Sequence, residues 1–189
     1  MQYRRAQVPG GTYFFTVALA ERKSTLLIER ADRLREAIRV VKLRHQFEIV
    51  AMVVLPDHLH AVWRLPPGDM DYPKRWALIK AGFSRGIPKD ERIRPTRIAK
   101  RERGIWQRRY WEHLIRDDED LQAHVDYIHH NPVKHGYVAQ ASAWPHSSIH
   151  RYIRMGWLKE DWGIGIEAGG GMASEAGGVG LVSPTYDVP

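Results

Sequence analysis

Apolar and polar positions follow two different spacings along the chain, and each spacing predicts one kind of element. Three short runs with apolar, aromatic and β-branched residues predict strands at residues 10–19, 47–54 and 58–65, and residues 111–116 look like a fourth strand. Three stretches with apolar residues at helical spacing predict helices at residues 29–44, 72–83 and 117–130. We place the end of the last helix near His130 because Pro132 disfavours helical geometry at Asn131.

The order of these elements is strand, helix, strand, strand, helix, strand, helix. This order is typical of an α+β fold of the ferredoxin-like kind, a sandwich of an antiparallel sheet with helices packed on it. A chain of 189 residues holds one domain with a hydrophobic core and is short for two large ones, so we assign residues 1–162 to a single domain. Residues 163–189 are rich in Gly and Ala without periodicity, which predicts a flexible tail.

The composition narrows the chemistry and the compartment. The chain has no cysteine, so a transition-metal site must use His, Asp, Glu, Asn or Gln side chains. The longest apolar run, residues 49–55, is far shorter than the roughly 20 residues that span a bilayer. The charged N-terminus is unlike a signal peptide. We expect a cytoplasmic protein that does not associate with membranes.

Positive charge is concentrated in one segment. The net charge is +7, and residues 85–109 alone hold ten basic and three acidic residues, an excess of seven. Three aromatic residues, Trp106, Tyr110 and Trp111, lie at or just beyond its end. Arginines that bind phosphates, beside rings that stack on bases, favour single-stranded nucleic acid as the partner. The alternative is a solvated basic loop that leads into a strand with core aromatics.

Two groups of residues could carry chemistry. His58 and His60 are two positions apart on a predicted strand and therefore project from the same face. On the last predicted helix, His124, Tyr127 and Asn131 fall on one face. Two imidazoles and an amide oxygen can form a three-ligand site for a divalent cation, with open positions for a phosphate oxygen and water. A tyrosine beside such a site can attack the phosphate if its proton transfer is assisted.

Each of these features also has an ordinary structural explanation. With 10 histidines in 189 residues, chance supplies about half a His-x-His pair per chain. A tyrosine on a half-exposed helix face usually packs its ring and leaves its hydroxyl in water. An asparagine before a proline usually ends a helix. The spacing alone therefore leaves both interpretations open.

Five motifs occur in order and span most of residues 3–152. They are YRRAQVPGGTYFFTV (3–17), VVLPDHLHAVWRLP (53–66), IWQRRYWEHLIRD (105–117), HVDYIHHNPVKHGYV (124–138) and WPHSSIHRY (144–152). Together these motifs resemble the single-tyrosine HUH transposases, and more narrowly the bacterial REP-associated tyrosine transposases.

The resemblance implies a ferredoxin-like enzyme that cleaves and rejoins single-stranded DNA at repetitive extragenic palindromic (REP) hairpins. It implies a 5′-phosphotyrosine intermediate and Mg²⁺ or Mn²⁺ as cofactor. The nucleophile falls on Tyr127 and the metal ligands on His58, His60 and Asn131. Asn131 stands where related insertion-sequence transposases have a glutamine. His124 is an auxiliary candidate, as a proton shuttle or a phosphate contact.

Charge and motif position also indicate where DNA binds. The expected DNA contacts are Arg4, Arg5, Arg85, Arg101, Arg103, Trp106, Arg108, Arg109 and Arg116. The basic segment 85–103 either extends the DNA groove or is a disordered insertion. His129 and His130 are expected at the surface.

Two alternatives to a transposase stay open at this stage. One is a palindrome-binding module without catalysis, and the other is a metal-dependent phosphodiesterase with a water nucleophile. We expect a monomer, with a dimer as the alternative.

Overall fold

The computed structural model describes residues 7–88 and 103–164, and within them the predicted strands and helices appear in the predicted order. Four strands form one sheet: β1 (Thr12–Ala18), β2 (Glu48–Val54), β3 (His58–Arg64) and β4 (Trp111–Leu114). Their order across the sheet is β2-β3-β1-β4, and every neighbouring pair is antiparallel. The predicted α+β fold with helices packed on an antiparallel sheet is confirmed.

The helices of the described residues are α1 (Leu26–Glu29), α2 (Ala31–Arg44), α3 (Tyr72–Arg85), α4 (Asp118–Lys134) and α5 (Ile149–Arg154). Three of them, α2, α3 and α4, are the predicted ones, whereas α1 and α5 are too short for their periodicity to be visible in the sequence. None of the helices in these two ranges has the length and apolar character needed to cross a bilayer. Most of the basic segment and nearly all of the predicted tail lie outside the described residues.

Helix α4 begins where the sequence predicts and ends later. The Asp117 side chain caps it by accepting a hydrogen bond of 2.8 Å from the Asp120 amide. The predicted end near residue 130 is wrong, because the helix continues through Pro132 to Lys134. Asn131 and Pro132 are both buried, so tertiary packing overrides the local preference of the residue before a proline. Gly136, with a φ of 71°, then ends the helix.

One face of the sheet carries the main apolar core. Helices α2 and α3 cover it, and the Trp63 indole of β3 stacks on Trp76 of α3 at a centroid distance of 4.0 Å. Phe15 of β1 packs against the same two rings, at 5.0 Å and 5.5 Å. All three rings are fully buried. Large aromatic groups packed in this way supply much of the free energy of folding.

The opposite face is covered by α4. Val125 and Ile128 of this helix pack with Phe14 and Val62 of the sheet. Strand alternation separates the two faces, since His58 and His60 alternate with residues of the main core, such as Leu59. The histidine pair therefore lies between the sheet and α4, where a second, smaller apolar cluster surrounds it.

Candidate active site

The two histidines of β3 are buried and close together. Their rings lie 5.0 Å apart between centroids, and each side chain is at least nine-tenths buried. His60 is opposite Thr16 on β1 and opposite Val53 on β2, so it stands in the middle of the sheet. The predicted side-by-side arrangement of the pair is confirmed by the geometry.

Each imidazole is held through its Nδ1 atom. His58 Nδ1 lies 2.7 Å from the Asp57 carboxylate, which also forms an ion pair of 2.9 Å with Arg22. His60 Nδ1 lies 2.9 Å from the Thr16 hydroxyl. Partners of this kind fix the orientation of metal-binding histidines. They also leave Nε2 as the atom that can coordinate a metal.

His60 is electrically neutral at physiological pH. Burial, reinforced by the nearby His58, His135 and Lys134, lowers the pKa of His60 to about 3. Its Nε2 atom is buried and has no hydrogen-bond partner among the described residues. A buried lone pair without a donor is costly in a folded protein, and it is the feature expected of a ligand atom.

Helix α4 carries both the tyrosine and the asparagine, and it brings the tyrosine to the histidines. The Tyr127 ring lies 5.1 Å from the His60 ring, edge to face, and Lys134 Nζ lies 5.1 Å from the same Tyr127 ring. Asn131 follows one helical turn later and is fully buried, and neither atom of its amide has a partner within the described ranges. Free Nε2 and amide oxygen atoms form a donor set that suits a divalent cation.

A second cluster joins β4 to the start of α4. The Asp120 carboxylate lies 2.8 Å from His113 Nε2 and 3.0 Å from His124 Nδ1, and it accepts a hydrogen bond of 3.0 Å from the Arg116 amide. Burial raises the pKa of Asp120, but the hydrogen bonds from His113 and Arg116 outweigh burial, and the pKa is lowered overall. The ligand atoms of this His113, Asp120 and His124 trio lie within 4.8 Å of one another, close enough to hold a metal ion.

The chain is similar to known proteins in sequence and in fold. The family described as Transposase IS200 like matches residues 7–131. A REP-associated tyrosine transposase of Escherichia coli is 47% identical over 161 residues, which cover 85% of this chain and 90% of that protein. A relative from Haemophilus influenzae with the same family assignment is 47% identical over 162 residues, which cover 85% of this chain and 92% of the relative.

The chain belongs to the REP-associated tyrosine transposases. A solved structure of such a transposase bound to a REP hairpin is similar to it, with a TM-score of 0.75 and 43% identity, over 97% of this chain and 99% of that one. Members of this family cleave and rejoin DNA, so the protein is an enzyme.

The DNA contacts expected in this transposase fall into three groups. Arg4, Arg5 and Arg101 lie outside the described residues. Arg85, Arg108, Arg109 and Arg116 are exposed, as a role in phosphate binding requires. The other two, Arg103 and Trp106, are not exposed.

Arg103 and Trp106, two of the expected DNA contacts, both contact helix α3. Arg103 donates hydrogen bonds to the carbonyls of Ser84, Ile87 and Pro88, and so ties the chain after the basic segment to the end of α3. Trp106 is buried, with its ring 5.3 Å from Phe83. The expectation that Trp106 faces DNA is therefore wrong, because a ring inside the core presents no face to a base.

The expectation for His129 is also wrong. Its side chain is fully buried, and Nε2 lies 2.9 Å from the Ser148 hydroxyl. His130 is half-buried. The burial of His129 could have been predicted, because this residue lies four positions after Val125 on the apolar side of the helix. Its partner Ser148 could not, because Ser148 is distant in sequence.

Several residues near the site were not singled out from the sequence. Asp57 and Thr16 orient the two histidines, and Asp120 orients His124. The His135 ring, at the end of α4, lies 5.5 Å from the His58 ring. The Asp57–His58 neighbours and the Asp120–His124 pair, one helical turn apart, are visible in the sequence, whereas the other pairs are formed by the fold.

Proposed function

We propose that this transposase cleaves and rejoins single-stranded DNA at REP hairpins through a covalent bond between Tyr127 and a 5′-phosphate. The observation that carries the proposal is the Tyr127 ring at 5.1 Å from His60, beside His58 and one helical turn from Asn131. The similar structure bound to a REP hairpin supports hairpin DNA as the substrate. The intact set of four residues disfavours a binding module that has no catalysis.

The residues that would hold Mg²⁺ or Mn²⁺ are His58 and His60, through Nε2, and Asn131, through its amide oxygen. The unpartnered atoms of His60 and Asn131 support this assignment. A divalent cation, when bound, neutralises phosphate charge and makes the phosphorus more electrophilic. A histidine needs to be neutral for this role, and the lowered pKa of His60 supports that role for His60.

The proposed reaction between Tyr127 and the DNA is a transesterification. The Tyr127 oxygen forms a bond to phosphorus as its proton leaves, the bond from phosphorus to the 3′-oxygen breaks, and that oxygen takes up a proton. Rejoining is the reverse, with a 3′-hydroxyl as the attacking group and the tyrosine as the leaving group. One phosphoester replaces another, so the reaction needs no nucleotide cofactor.

DNA binding is proposed to use the exposed arginines. Arg85, Arg108, Arg109 and Arg116 would contact backbone phosphates, together with Arg4, Arg5 and Arg101 outside the described residues. His124 is proposed as an auxiliary residue near the phosphate, since it is three positions before Tyr127 on α4 and is held by Asp120. Phosphate contacts of this kind make binding weaken steeply with salt.

We also propose that the transposase acts as a monomer. The Tyr127 ring lies 5.1 Å from the His60 ring of the same chain, and Asn131 is on the same helix as Tyr127, which supports a site built from one subunit. Sedimentation of the free protein tests this: a species of about twice the 21.9 kDa chain mass would contradict it.

The test of the function is a denaturing gel of protein incubated with Mn²⁺ and labelled single-stranded DNA that carries a REP hairpin. We expect a covalent protein–DNA adduct that disappears in Tyr127→Phe and persists in Tyr137→Phe. Tyr137 is an exposed tyrosine just beyond α4 and serves as the matched control. Cleavage that survives Tyr127→Phe would indicate a water nucleophile, and tight binding without cleavage would indicate a binding module.

A further inference from the structure

Trp111, the first residue of β4, has an exposed indole, and exposing so large an apolar group to water costs free energy. All seven tryptophans lie in the described residues, and Trp111 is the one whose surface is largely open, with 49% exposed. Tryptophan and tyrosine rings exposed at a functional surface are typical of residues that bind a flat partner. The position of this ring relative to Tyr127 indicates which partner that is.

The sheet register places Trp111 in line with the proposed metal ligands. Trp111 pairs with Thr16 of β1, and Thr16 pairs with His60 of β3. These three residues project from the same face, and the backbones of Trp111 and His60 are separated by two strand spacings, about 10 Å. Trp111 therefore lies at the outer edge of the same cross-strand row that contains the centre of the site.

One ring separates Trp111 from the proposed nucleophile. Phe14 of β1 lies 5.6 Å from the Trp111 ring and 6.0 Å from the Tyr127 ring, measured between centroids, and both contacts are edge to face. A nucleotide whose phosphate reaches Tyr127 thus has an exposed aromatic surface close to its base.

Two imidazole rings are stacked in a row beside the indole. The His113 ring is parallel to it, at 5.9 Å and an angle of 8°, and the His124 ring is stacked on His113 at 4.8 Å and 16°. Asp120 contacts both imidazoles: its carboxylate lies 2.8 Å from His113 Nε2, and its backbone carbonyl lies 2.7 Å from His124 Nδ1. An aromatic side chain that packs on neighbouring rings loses less conformational entropy when a ligand stacks on it than a side chain without such contacts.

We propose that Trp111 is a stacking platform for a nucleobase next to the scissile phosphate. The proposal rests on the proposed function, and it assigns the His113, Asp120 and His124 cluster a positioning role behind the platform. The exposed Arg116, which is bonded to Asp120 at 3.2 Å, adds positive charge at the other side of the same cluster. Stacking beside a cation suits an unpaired nucleotide, because every nucleotide has an aromatic base and a negatively charged phosphate.

The experiment is a binding cycle between protein and DNA variants, made in the Tyr127→Phe background so that no cleavage occurs. The DNA is the REP hairpin with its single-stranded nucleotides replaced, one at a time, by abasic sites, and Kd is measured by fluorescence anisotropy. We expect an abasic site at one position to weaken binding roughly tenfold when Trp111 is present. Trp111→Ala should weaken binding of intact DNA by a similar factor and be insensitive to that abasic site.

Trp111→Phe keeps an aromatic face and should retain most of the affinity, whereas Leu43→Ala, which removes an exposed side chain on α2, should change nothing. An abasic penalty that persists in Trp111→Ala would overturn the proposal, and so would unchanged binding of intact DNA by Trp111→Ala. If intact hairpin does not bind at all, the proposed function fails with it. If intact hairpin binds and no position couples to Trp111, only the platform fails.

Discussion

The two faces of the sheet use the same strands in different ways. On the face under α2 and α3, Trp63 stacks on Trp76, and large rings fill the space between sheet and helices. On the face under α4, alternate residues of the same strand β3 are His58 and His60, and α4 adds the buried Asn131. The first face is built from groups that gain by leaving water, and the second contains groups that lose by it.

The difference shows how the fold separates stability from chemistry. Strand alternation lets one strand serve both purposes, because neighbouring residues point in opposite directions. Around the site, His60 Nε2 and both Asn131 amide atoms are buried without a partner among the described residues. The apolar face offsets the free energy that such atoms cost, so substitutions on the two faces should have opposite consequences.

The largest effect on stability is expected for Trp76→Ala on the apolar face. Removing a fully buried indole leaves a cavity and should lower the free energy of unfolding by about 3–5 kcal/mol. Urea unfolding measures the change. Leu78→Ala, on the exposed side of the same helix, is the control and should stay within about 0.5 kcal/mol. A loss below about 1 kcal/mol for Trp76→Ala would mean that this face is not the main source of stability.

A substitution beside the histidines should affect metal binding more than stability. Thr16→Val removes the hydroxyl that lies 2.9 Å from His60 Nδ1 and keeps the shape of the side chain. We expect Mn²⁺ affinity, measured by calorimetry, to fall by about 10- to 100-fold, because groups behind a metal ligand fix its orientation. Thr12→Val, on the same face of β1, should leave Mn²⁺ affinity as it is. Equal effects in both variants would contradict the role given to Thr16.

The amide of Asn131 should cost stability, unlike any group of the apolar face. Asn131→Leu replaces two buried, unpartnered polar atoms by apolar ones of similar volume, so in EDTA we expect the free energy of unfolding to rise by about 1–2 kcal/mol. Metal affinity should fall in the same protein. Gln122→Leu is the control on α4, because its amide already donates to Asp126 at 2.9 Å and no gain is expected. A destabilised Asn131→Leu would mean that the amide is satisfied in solution.

Much of this contrast could be predicted from the sequence. Alternation placed His58 and His60 on one face, and helical spacing placed Tyr127 and Asn131 together, because both depend only on local geometry. The order of the elements was enough for the fold class. What local geometry cannot supply is the partner of each group, so the pairs Thr16 with His60 and Asp120 with His113 became visible only in the fold.

The wrong predictions share one cause. Helix α4 passes Pro132, His129 is buried against Ser148, and Trp106 packs on Phe83. In each case a local preference, for ending a helix or for an exposed polar or basic segment, was overridden by packing against residues far away in sequence. Such overrides need the tertiary contacts themselves, which a pattern of spacings does not contain.

The smallest expected effect on stability concerns the ion pair of a buried arginine on the apolar face. Arg75 of α3 is almost fully buried and forms an ion pair of 2.6 Å with Asp69, and its guanidinium also donates to the carbonyls of His45 and Gln46. The hydrogen bond from Arg75 lowers the pKa of Asp69, against a smaller opposing effect of burial. This charge is therefore fully paired, in contrast to the unpartnered atoms beneath α4.

The sign of the pH dependence follows from the lowered pKa. Between the folded pKa of Asp69 and its higher unfolded value, the unfolded chain binds more protons, so the pair stabilises the fold above the unfolded pKa and this contribution is lost as pH falls through the folded pKa. Asp69→Asn should lower the free energy of unfolding at pH 7 by about 1 kcal/mol or less, since the carboxylate is partly exposed and Arg75 keeps its carbonyl acceptors. Unfolding curves at a series of pH values should converge for the two proteins in acid. Asp32→Asn, in an exposed pair with Arg35, is the control, and a constant gap between Asp69→Asn and the unsubstituted protein at every pH would show that the loss is not electrostatic.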